Sequence, residues 1–193
     1  MNFNELFSIR FISICIIALL LTYGVSQFLY NDLTEAPAKI NSETEIALIF
    51  FGCSTCPAAT MDEIPNILNT LSEKVQNAAL TNGHNYSFIG ISKENNIKQG
   101  LEYLTNIAPF HEISLGKNMQ NTAIQKYVWE TFDNPLSAST PQVIISKRLY
   151  ETNTADNDST VLPIIASEEI LIRKIGIEQF IQLSKQENFF NSF

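Results

Sequence analysis

Two cysteines in the string Cys53-Ser54-Thr55-Cys56-Pro57 have the spacing at which a pair of thiols forms and breaks a disulfide. An unbroken apolar run, residues 46–51, and one glycine precede the string, and a segment with helical spacing follows it. This order predicts a strand, a short turn and a helix that begins at the C-x-x-C. The first thiol would then lie at a helix N-terminus, where free N–H groups and the helix dipole favour a thiolate. We therefore predict a redox-active disulfide with Cys53 as the exposed nucleophile and Cys56 as the resolving cysteine.

Other uses of the cysteine pair are a structural disulfide and half of a metal site. Zinc takes four ligands, and the histidines that remain, His84 and His111, are far apart and lack ligand spacing. The sequence therefore predicts neither a metal nor a cofactor. Two alternatives stay open: copper delivery, with His111 as a candidate ligand, and a redox-inert binding or assembly module.

The elements that must position this pair alternate between strands and helices. The run 46–51 has no polar alternation, which indicates a strand covered on both faces. The segment after the C-x-x-C has apolar residues at helical spacing, and Pro65 predicts that its helix kinks or restarts. Residues 86–92 predict a second buried strand, so the three elements form a parallel βαβ unit.

Further strands and helices are predicted along the rest of the chain. Thr140-Pro141 leads into a β-run, and a proline at the start of such a run is compatible with a sheet. Glu168 and Glu169 predict a solvated turn. The predicted elements are a helix over 95–105, an extended segment over 110–115, a helix over 118–131, a strand over 142–146, an exposed loop or hairpin over 147–160, strands over 161–165 and 169–175, and a closing helix over 177–187.

This order of elements resembles the thioredoxin fold over about residues 45–188. The insertion between Ser92 and Pro141 is similar to that of membrane-anchored TlpA-like thiol–disulfide oxidoreductases. The resemblance implies an α/β, thioredoxin-like fold with a mixed central sheet flanked by helices. It also implies that Pro141 is cis and packs against Cys53, and that Thr140 and Pro141 bind the incoming substrate chain.

The sequence departs from those families at three places around the pair. Gly52 stands where thioredoxins have a tryptophan, and Gln142 stands where many TlpA-like proteins have a glutamate. Residues 46–51 contain no acid, whereas thioredoxins bury an aspartate there. The sequence thus predicts that no buried acid lies beside the pair, and the residues between the cysteines, Ser54 and Thr55, carry no charge.

An uncharged stretch near the N-terminus, residues 11–30, has the length of a helix that crosses a hydrocarbon layer of about 30 Å. The predicted organisation is a cytoplasmic N-terminus (1–10), a transmembrane anchor (11–30), a linker (31–44) and a thioredoxin-like domain (45–193). Arg10 before the stretch, and Asp32 and Glu35 after it, place the domain on the extracytoplasmic, periplasmic side. The alternative is a cleaved signal peptide, with small residues at Gly24 and Ser26, and a secreted domain.

The formal net charge of -8 argues against nucleic acid as a partner, because phosphate binding needs a basic surface. The function predicted from the sequence is that of a membrane-anchored thiol–disulfide oxidoreductase that reduces or exchanges disulfides of exported proteins. Its partners would be disulfide- or thiol-bearing exported proteins and an electron-donor protein of the membrane. The alternative is a redox-inert or metal-delivery module in envelope protein assembly.

Overall fold

The computed structural model describes residues 39–117, 120–129, 139–154 and 163–186 of the chain. The strands in this part are β1 (Lys39–Gly52), β2 (Asn85–Ser92), β3 (Glu112–Ser114), β4 (Gln142–Thr154) and β5 (Ile164–Ile175). The helices are α1 (Ile64–Thr81), α2 (Ile97–Ile107), α3 (Thr122–Ile124), which continues as a π-helix (Gln125–Trp129), and α4 (Ile177–Lys185). The chain divides into two compact units, 1–40 with 153–161 and 41–152 with 162–193, and the fold described here is that of the second.

One sheet contains these strands in the order β3-β2-β1-β4-β5. β1 pairs in parallel with β2, from Glu45 opposite Asn85 to Gly52 opposite Ser92. β3 is parallel to β2 on its other side, whereas β4 and β5 are antiparallel to each other. A mixed sheet flanked by helices confirms the predicted thioredoxin-like α/β class.

The central strand β1 is buried on both faces, as its unbroken apolar run predicts. Its even-numbered residues from 46 to 50 pack into one core with Leu68 of α1 and Phe180 of α4. Its odd-numbered residues from 47 to 51 pack into a second core with Ile124 of α3 and Tyr127 of the π-helix. Because successive side chains of a strand point to opposite faces, α1 and α4 cover one face of the sheet and the α3 segment covers the other.

The first long helix, α1, restarts at Pro65, which is one of the two outcomes that the proline predicts. Pro65 lies in the first turn of α1, where its missing N–H breaks no helical hydrogen bond. The residues that α1 buries recur every three or four positions: Ile64, Leu68, Leu71, Val75 and Ala79. This stripe fixes α1 against the sheet below the C-x-x-C segment.

The hairpin of β4 and β5 is longer than the sequence predicts. β4 continues to Thr154, through part of the segment predicted as an exposed loop, and β5 is one strand where two strands and a turn at Glu168 and Glu169 are expected. The predicted turn is wrong because Glu168 pairs with Arg148 across the hairpin, and both side chains are shielded from solvent. Residues 155–162 lie outside the described part of the chain.

β1 begins at Lys39, so the last part of the segment predicted as a linker, residues 31–44, belongs to a strand. The predicted anchor, residues 11–30, lies outside the described residues. No helix within the described ranges has both the length and the apolar composition needed to cross a membrane.

Candidate redox site

A disulfide joins Cys53 and Cys56 directly after the last residue of β1. The backbone oxygen of Cys53 accepts a hydrogen bond from the N–H of Cys56 at 3.3 Å, which closes a turn over Ser54 and Thr55. The two Cα atoms are 5.4 Å apart, within the usual range for a disulfide. The fold therefore brings the predicted pair together at the carboxyl end of its central strand.

Gly52, the residue before the pair, has no room for a side chain. A Cβ at this position would collide with the hydroxyl oxygen of Tyr103 and would lie 2.8 Å from Cζ of Phe50. The Tyr103 hydroxyl donates a hydrogen bond to the backbone oxygen of Ala59 at 2.8 Å. Burial raises the pKa of Tyr103, and the nearby carboxylate of Glu94 raises it further. Tyr103 thus stays protonated and occupies the space that a tryptophan at position 52 would need.

The helix expected to begin at the C-x-x-C is interrupted. A 3-10 turn of three residues, Pro57–Ala59, follows Cys56, and α1 begins only at Ile64. The field of a helix dipole falls off within the first turn. The expectation that a long helix stabilises a Cys53 thiolate is therefore wrong, because Pro65 sets the start of the helix beyond the turn.

Thr140, the residue before Pro141, lies beside the disulfide although it is more than 80 residues away along the chain. The Thr140 hydroxyl donates a hydrogen bond to Sγ of Cys56 at 2.9 Å, and its Oγ1 is 3.6 Å from Sγ of Cys53. The Thr140–Pro141 peptide bond is cis, as the resemblance implies. Gly176, at the end of β5, donates its N–H to the backbone oxygen of Pro141 at 2.9 Å. The structure thus assembles the predicted site residues, whereas their role in substrate binding stays a prediction.

The exposure of the two cysteines is the reverse of the expectation. Cys53 is 3% exposed in the disulfide form, whereas Cys56 is partly exposed. Cys53 continues a strand that is buried on both faces, and Thr140 covers its sulfur from the side. Cys56 begins the turn that leaves the sheet. The roles of nucleophile and resolving cysteine stay predictions.

Glu94 is the site residue that sequence reasoning missed. It lies two residues beyond β2 and is 7% exposed, and its carboxylate accepts a hydrogen bond from the backbone N–H of Ser54. The expectation of no buried acid beside the pair is therefore wrong. Gly52 and Ser92 are paired at the ends of neighbouring parallel strands, so the residues that follow them meet at one edge of the sheet. The acid of this chain follows β2, whereas the thioredoxin pattern places it on β1.

The histidines considered as metal ligands are structural or peripheral in the described fold. Nδ1 of His111 accepts a hydrogen bond from the backbone N–H of Phe88 at 3.1 Å, and Phe88 pairs with Leu48 of β1. Four residues of strand, roughly 13 Å, separate Leu48 from Gly52. His84 follows α1 in a turn. Within the ranges that the structure describes, no three His, Cys, Asp or Glu side chains are grouped to hold a metal ion.

The strand order and the placement of the disulfide after β1 and of the cis-proline before β4 define the class of this protein. It has a thioredoxin-like fold with a C-x-x-C pair directly after the central strand. The insertion of α2, β3 and α3 between β2 and Thr140 fits the predicted resemblance to TlpA-like thiol–disulfide oxidoreductases.

Comparisons with known proteins find only distant structural likenesses. No protein-family model and no curated protein matches the chain. One similar solved structure is a thiol:disulfide interchange protein DsbE from Chlorobium tepidum, with 11% identity, a TM-score of 0.39, and coverage of 72% of this chain and 79% of that one. Another is copper-bound ScoI from Arabidopsis thaliana, with 12% identity, a TM-score of 0.28, and coverage of 68% and 89%. The assignment of the fold rests on the sheet order and the site geometry.

Proposed function

We propose that this chain is a thiol–disulfide oxidoreductase that reduces or exchanges disulfides of exported proteins. The observation that carries the proposal is the Cys53–Cys56 disulfide with the Thr140 hydroxyl beside both sulfurs. After reduction, a hydroxyl that donates to sulfur stabilises the thiolate, which is the nucleophile in disulfide exchange. Thr140 and Pro141 would receive the substrate chain at the same place.

The proposed reaction has two exchange steps. Cys53 loses a proton, its thiolate attacks one sulfur of the substrate disulfide, and the substrate S–S bond breaks as a mixed disulfide forms. Cys56 then loses its proton and attacks the Cys53 sulfur, which releases the substrate and forms the Cys53–Cys56 bond. The two substrate thiolates take up two protons, so two electrons and two protons pass from the dithiol to the substrate.

The surroundings of the dithiol favour this reductive direction. The Glu94 carboxylate is bound to the backbone of Ser54, between the two cysteines, and a negative charge nearby disfavours a thiolate. A dithiol protein is a strong oxidant when its reduced form is stabilised. The negative charge of Glu94 would instead destabilise the thiolate of the reduced form. Each turnover leaves the dithiol oxidised, so a thiol-bearing electron donor must reduce it again. We place that donor in the membrane, beside the anchor predicted at residues 11–30.

Cysteine variants of the full-length chain test the proposal. Cys56→Ala keeps the attacking thiol and lacks the resolving one, so it should accumulate mixed disulfides with exported proteins on non-reducing gels. Cys53→Ala is the matched control, because it also removes one sulfur, and it should trap nothing. The wild-type protein should reduce a model disulfide such as that of insulin.

The outcomes separate the candidate functions. A redox-inert or metal-delivery module would neither reduce insulin nor trap a partner through either variant. Trapping by Cys53→Ala in place of Cys56→Ala would assign the attack to Cys56, the more exposed cysteine of the disulfide form.

A further inference from the structure

An open cavity of about 330 Å³, with mixed polar and apolar walls, lies beside the disulfide. Its walls come from the turn that carries the dithiol and from one side of α2. The lining residues are Ser54, Thr60, Gln99, Glu102, Tyr103, Asn106 and Ile107. Since Ser54 directly follows Cys53, the cavity lies within reach of a substrate chain that presents a cysteine to the site.

Three hydrogen-bond donors of this wall are engaged within the protein. Nε2 of Gln99 donates to Oγ of Ser54 at 2.8 Å, and the Tyr103 hydroxyl donates to the backbone oxygen of Ala59 at 2.8 Å. The Thr60 hydroxyl lies 3.2 Å from the backbone oxygen of Pro57, to which it donates. Gln99, Tyr103 and Thr60 leave acceptor capacity for an occupant, namely hydroxyl lone pairs and the Gln99 carbonyl, and the Ser54 hydroxyl and the Asn106 amide carry both donors and acceptors.

The charged side chain in the lining of the cavity is an acid, Glu102, and the exposed Lys98 lies one helical turn before it on α2. Glu102 is exposed at its rim, and within the described ranges no lysine or arginine lies within ion-pair distance of its carboxylate. None of the lining residues is basic. Glu94 is a second carboxylate near the cavity and accepts a hydrogen bond from the backbone N–H of Ser54. Burial raises the pKa of the Tyr103 hydroxyl, and the charge of Glu94 raises it further.

We propose that this cavity binds a lysine or arginine side chain of the substrate polypeptide, and that Glu102 determines this specificity. The inference rests on the proposed function, because the cavity selects a substrate only if a substrate cysteine reaches the dithiol. A guanidinium has five N–H donors and no acceptor, and an ammonium has three donors, which suits the carboxylate at the rim and the hydroxyl and amide oxygens of the wall. An extended chain advances about 3.3 Å per residue, so the basic residue would lie one to three positions from the cysteine under attack.

A peptide series tests the inference with the reduced full-length protein in a non-ionic detergent. Each peptide has one intramolecular disulfide and carries either arginine or its neutral isostere citrulline at one of the three positions on either side of the first cysteine. At one or two positions, the arginine peptide should be reduced about two- to fivefold faster than the citrulline peptide, the range of an exposed ion pair. Glu102→Gln should reduce the ratio of the arginine rate to the citrulline rate to about one.

The matched control is Glu73→Gln, which makes the same charge change on the exposed side of α1 and should keep the arginine preference. Equal rates for arginine and citrulline peptides in the wild type would overturn the inference. So would an equal loss of preference in Glu73→Gln, which would indicate attraction by the net charge alone. In both cases reduction of the citrulline peptides would leave the proposed function intact, whereas reduction of no peptide would overturn both.

Discussion

Thr140 and Glu94 affect the reactivity of the dithiol in opposite directions. The Thr140 hydroxyl donates to Sγ of Cys56 at 2.9 Å, and a hydrogen bond to the charged form of a group favours that form. Glu94 places a carboxylate on the backbone of Ser54, and a like charge disfavours a thiolate. In the proposed reaction, the Thr140 bond would favour the thiolate of Cys56, the resolving cysteine, whereas the charge of Glu94 would disfavour a thiolate on either cysteine.

Replacing the acid beside the dithiol should make the attacking thiol more acidic. Glu94→Gln keeps an oxygen that accepts the Ser54 N–H and removes the charge. We expect the pH midpoint of thiolate formation in the reduced protein to fall by about one unit. A tenfold rise in thiolate is partly offset by lower nucleophilicity, so exchange with a small neutral disulfide at pH 7 should become about threefold faster. Thiolate absorbance against pH and stopped-flow exchange measure the two effects.

Glu73→Gln, on α1, serves as the control and should change neither quantity. A slower exchange in Glu94→Gln with an unchanged midpoint would contradict this interpretation. That result would make Glu94 a proton acceptor during exchange and not a repelling charge.

At the scale of elements, a buried ionic cluster connects β1, β4, β5 and the π-helix on the face of the sheet covered by the second core. Nε of Arg148 donates to Oε1 of Glu168 at 2.9 Å, and its Nη1 donates to Oε2 of Glu45 at 3.2 Å. Lys126 forms an ion pair with the same Glu168 carboxylate, which also accepts a hydrogen bond from the Tyr127 hydroxyl at 2.9 Å. The cluster thereby fixes the π-helix to the hairpin that starts at the cis-proline.

Neutralising Glu168 should destabilise the fold at neutral pH. Glu168→Gln removes the partner of a nearly buried arginine while Glu45 still pairs with it, and we expect a loss of about 2 kcal/mol in the free energy of unfolding. Urea denaturation at pH 7 measures the loss. Glu169→Gln is the matched control, since Glu169 is the exposed neighbour on the same strand, and it should change the free energy by less than about 0.5 kcal/mol.

The same residue should make stability depend on pH in the acid range. Burial alone would raise the pKa of Glu168, but hydrogen bonds from Lys126, Ser146 and Arg148 lower it to about 2 from an ordinary value of 4.5. A carboxyl whose pKa is depressed by folding stabilises the native state above the unfolded value and loses this effect as the pH falls through the folded value. The difference in the free energy of unfolding between wild type and Glu168→Gln should therefore shrink as the pH falls from about 5 to about 2. A difference that stays constant over this range would contradict the lowered pKa of Glu168.

The sequence predicts the central elements of this fold because their signals are local. The unbroken run at 46–51 identifies β1, and Pro65 predicts where α1 restarts. The thioredoxin resemblance predicts the cis peptide bond at Pro141. The first two signals depend on a short stretch of chain and on steric rules that hold in any context, whereas the cis bond follows from the resemblance in the order of elements along the whole domain.

The features that the sequence did not predict depend on contacts between distant residues. In the sequence Glu168 has the character of a surface residue, whereas in the structure it forms an ion pair with Arg148 across the hairpin. Because of this pairing, the segment is one strand and not two strands with a turn between them. Glu94 acquires its place in the site because β2 ends beside β1, with Ser92 opposite Gly52. Thr140 likewise reaches Cys53 from 87 residues away, with its Oγ1 3.6 Å from the Cys53 sulfur. Charge and polarity in the sequence indicate solvent exposure only where no partner is present in the fold.

At the scale of the whole molecule, the proposed function requires that the dithiol face a compartment in which exported proteins carry disulfides. The basis for this is the uncharged stretch 11–30, with Arg10 before it and Asp32 and Glu35 after it. An anchor would confine the thioredoxin-like domain to the membrane surface, within reach of a membrane electron donor. Cleavage of a signal peptide would release the domain from the membrane, so that it would no longer be held near the electron donor.

We predict that the intact chain remains in the membrane, with its thioredoxin-like domain outside the cytoplasm. The chain should resist extraction by alkaline carbonate, its mass should include residues 1–30, and protease added from the extracytoplasmic side should digest the domain.

Arginine at both Leu19 and Leu20 should abolish insertion, because each charge at the centre of a spanning helix costs about 2.5–3.5 kcal/mol. Arginine at Asn2 and Asn4, before the apolar stretch, is the control and should leave the chain inserted. A soluble chain that begins just after Ser26 would show cleavage of a signal peptide, and protection of the domain from external protease would reverse the predicted orientation.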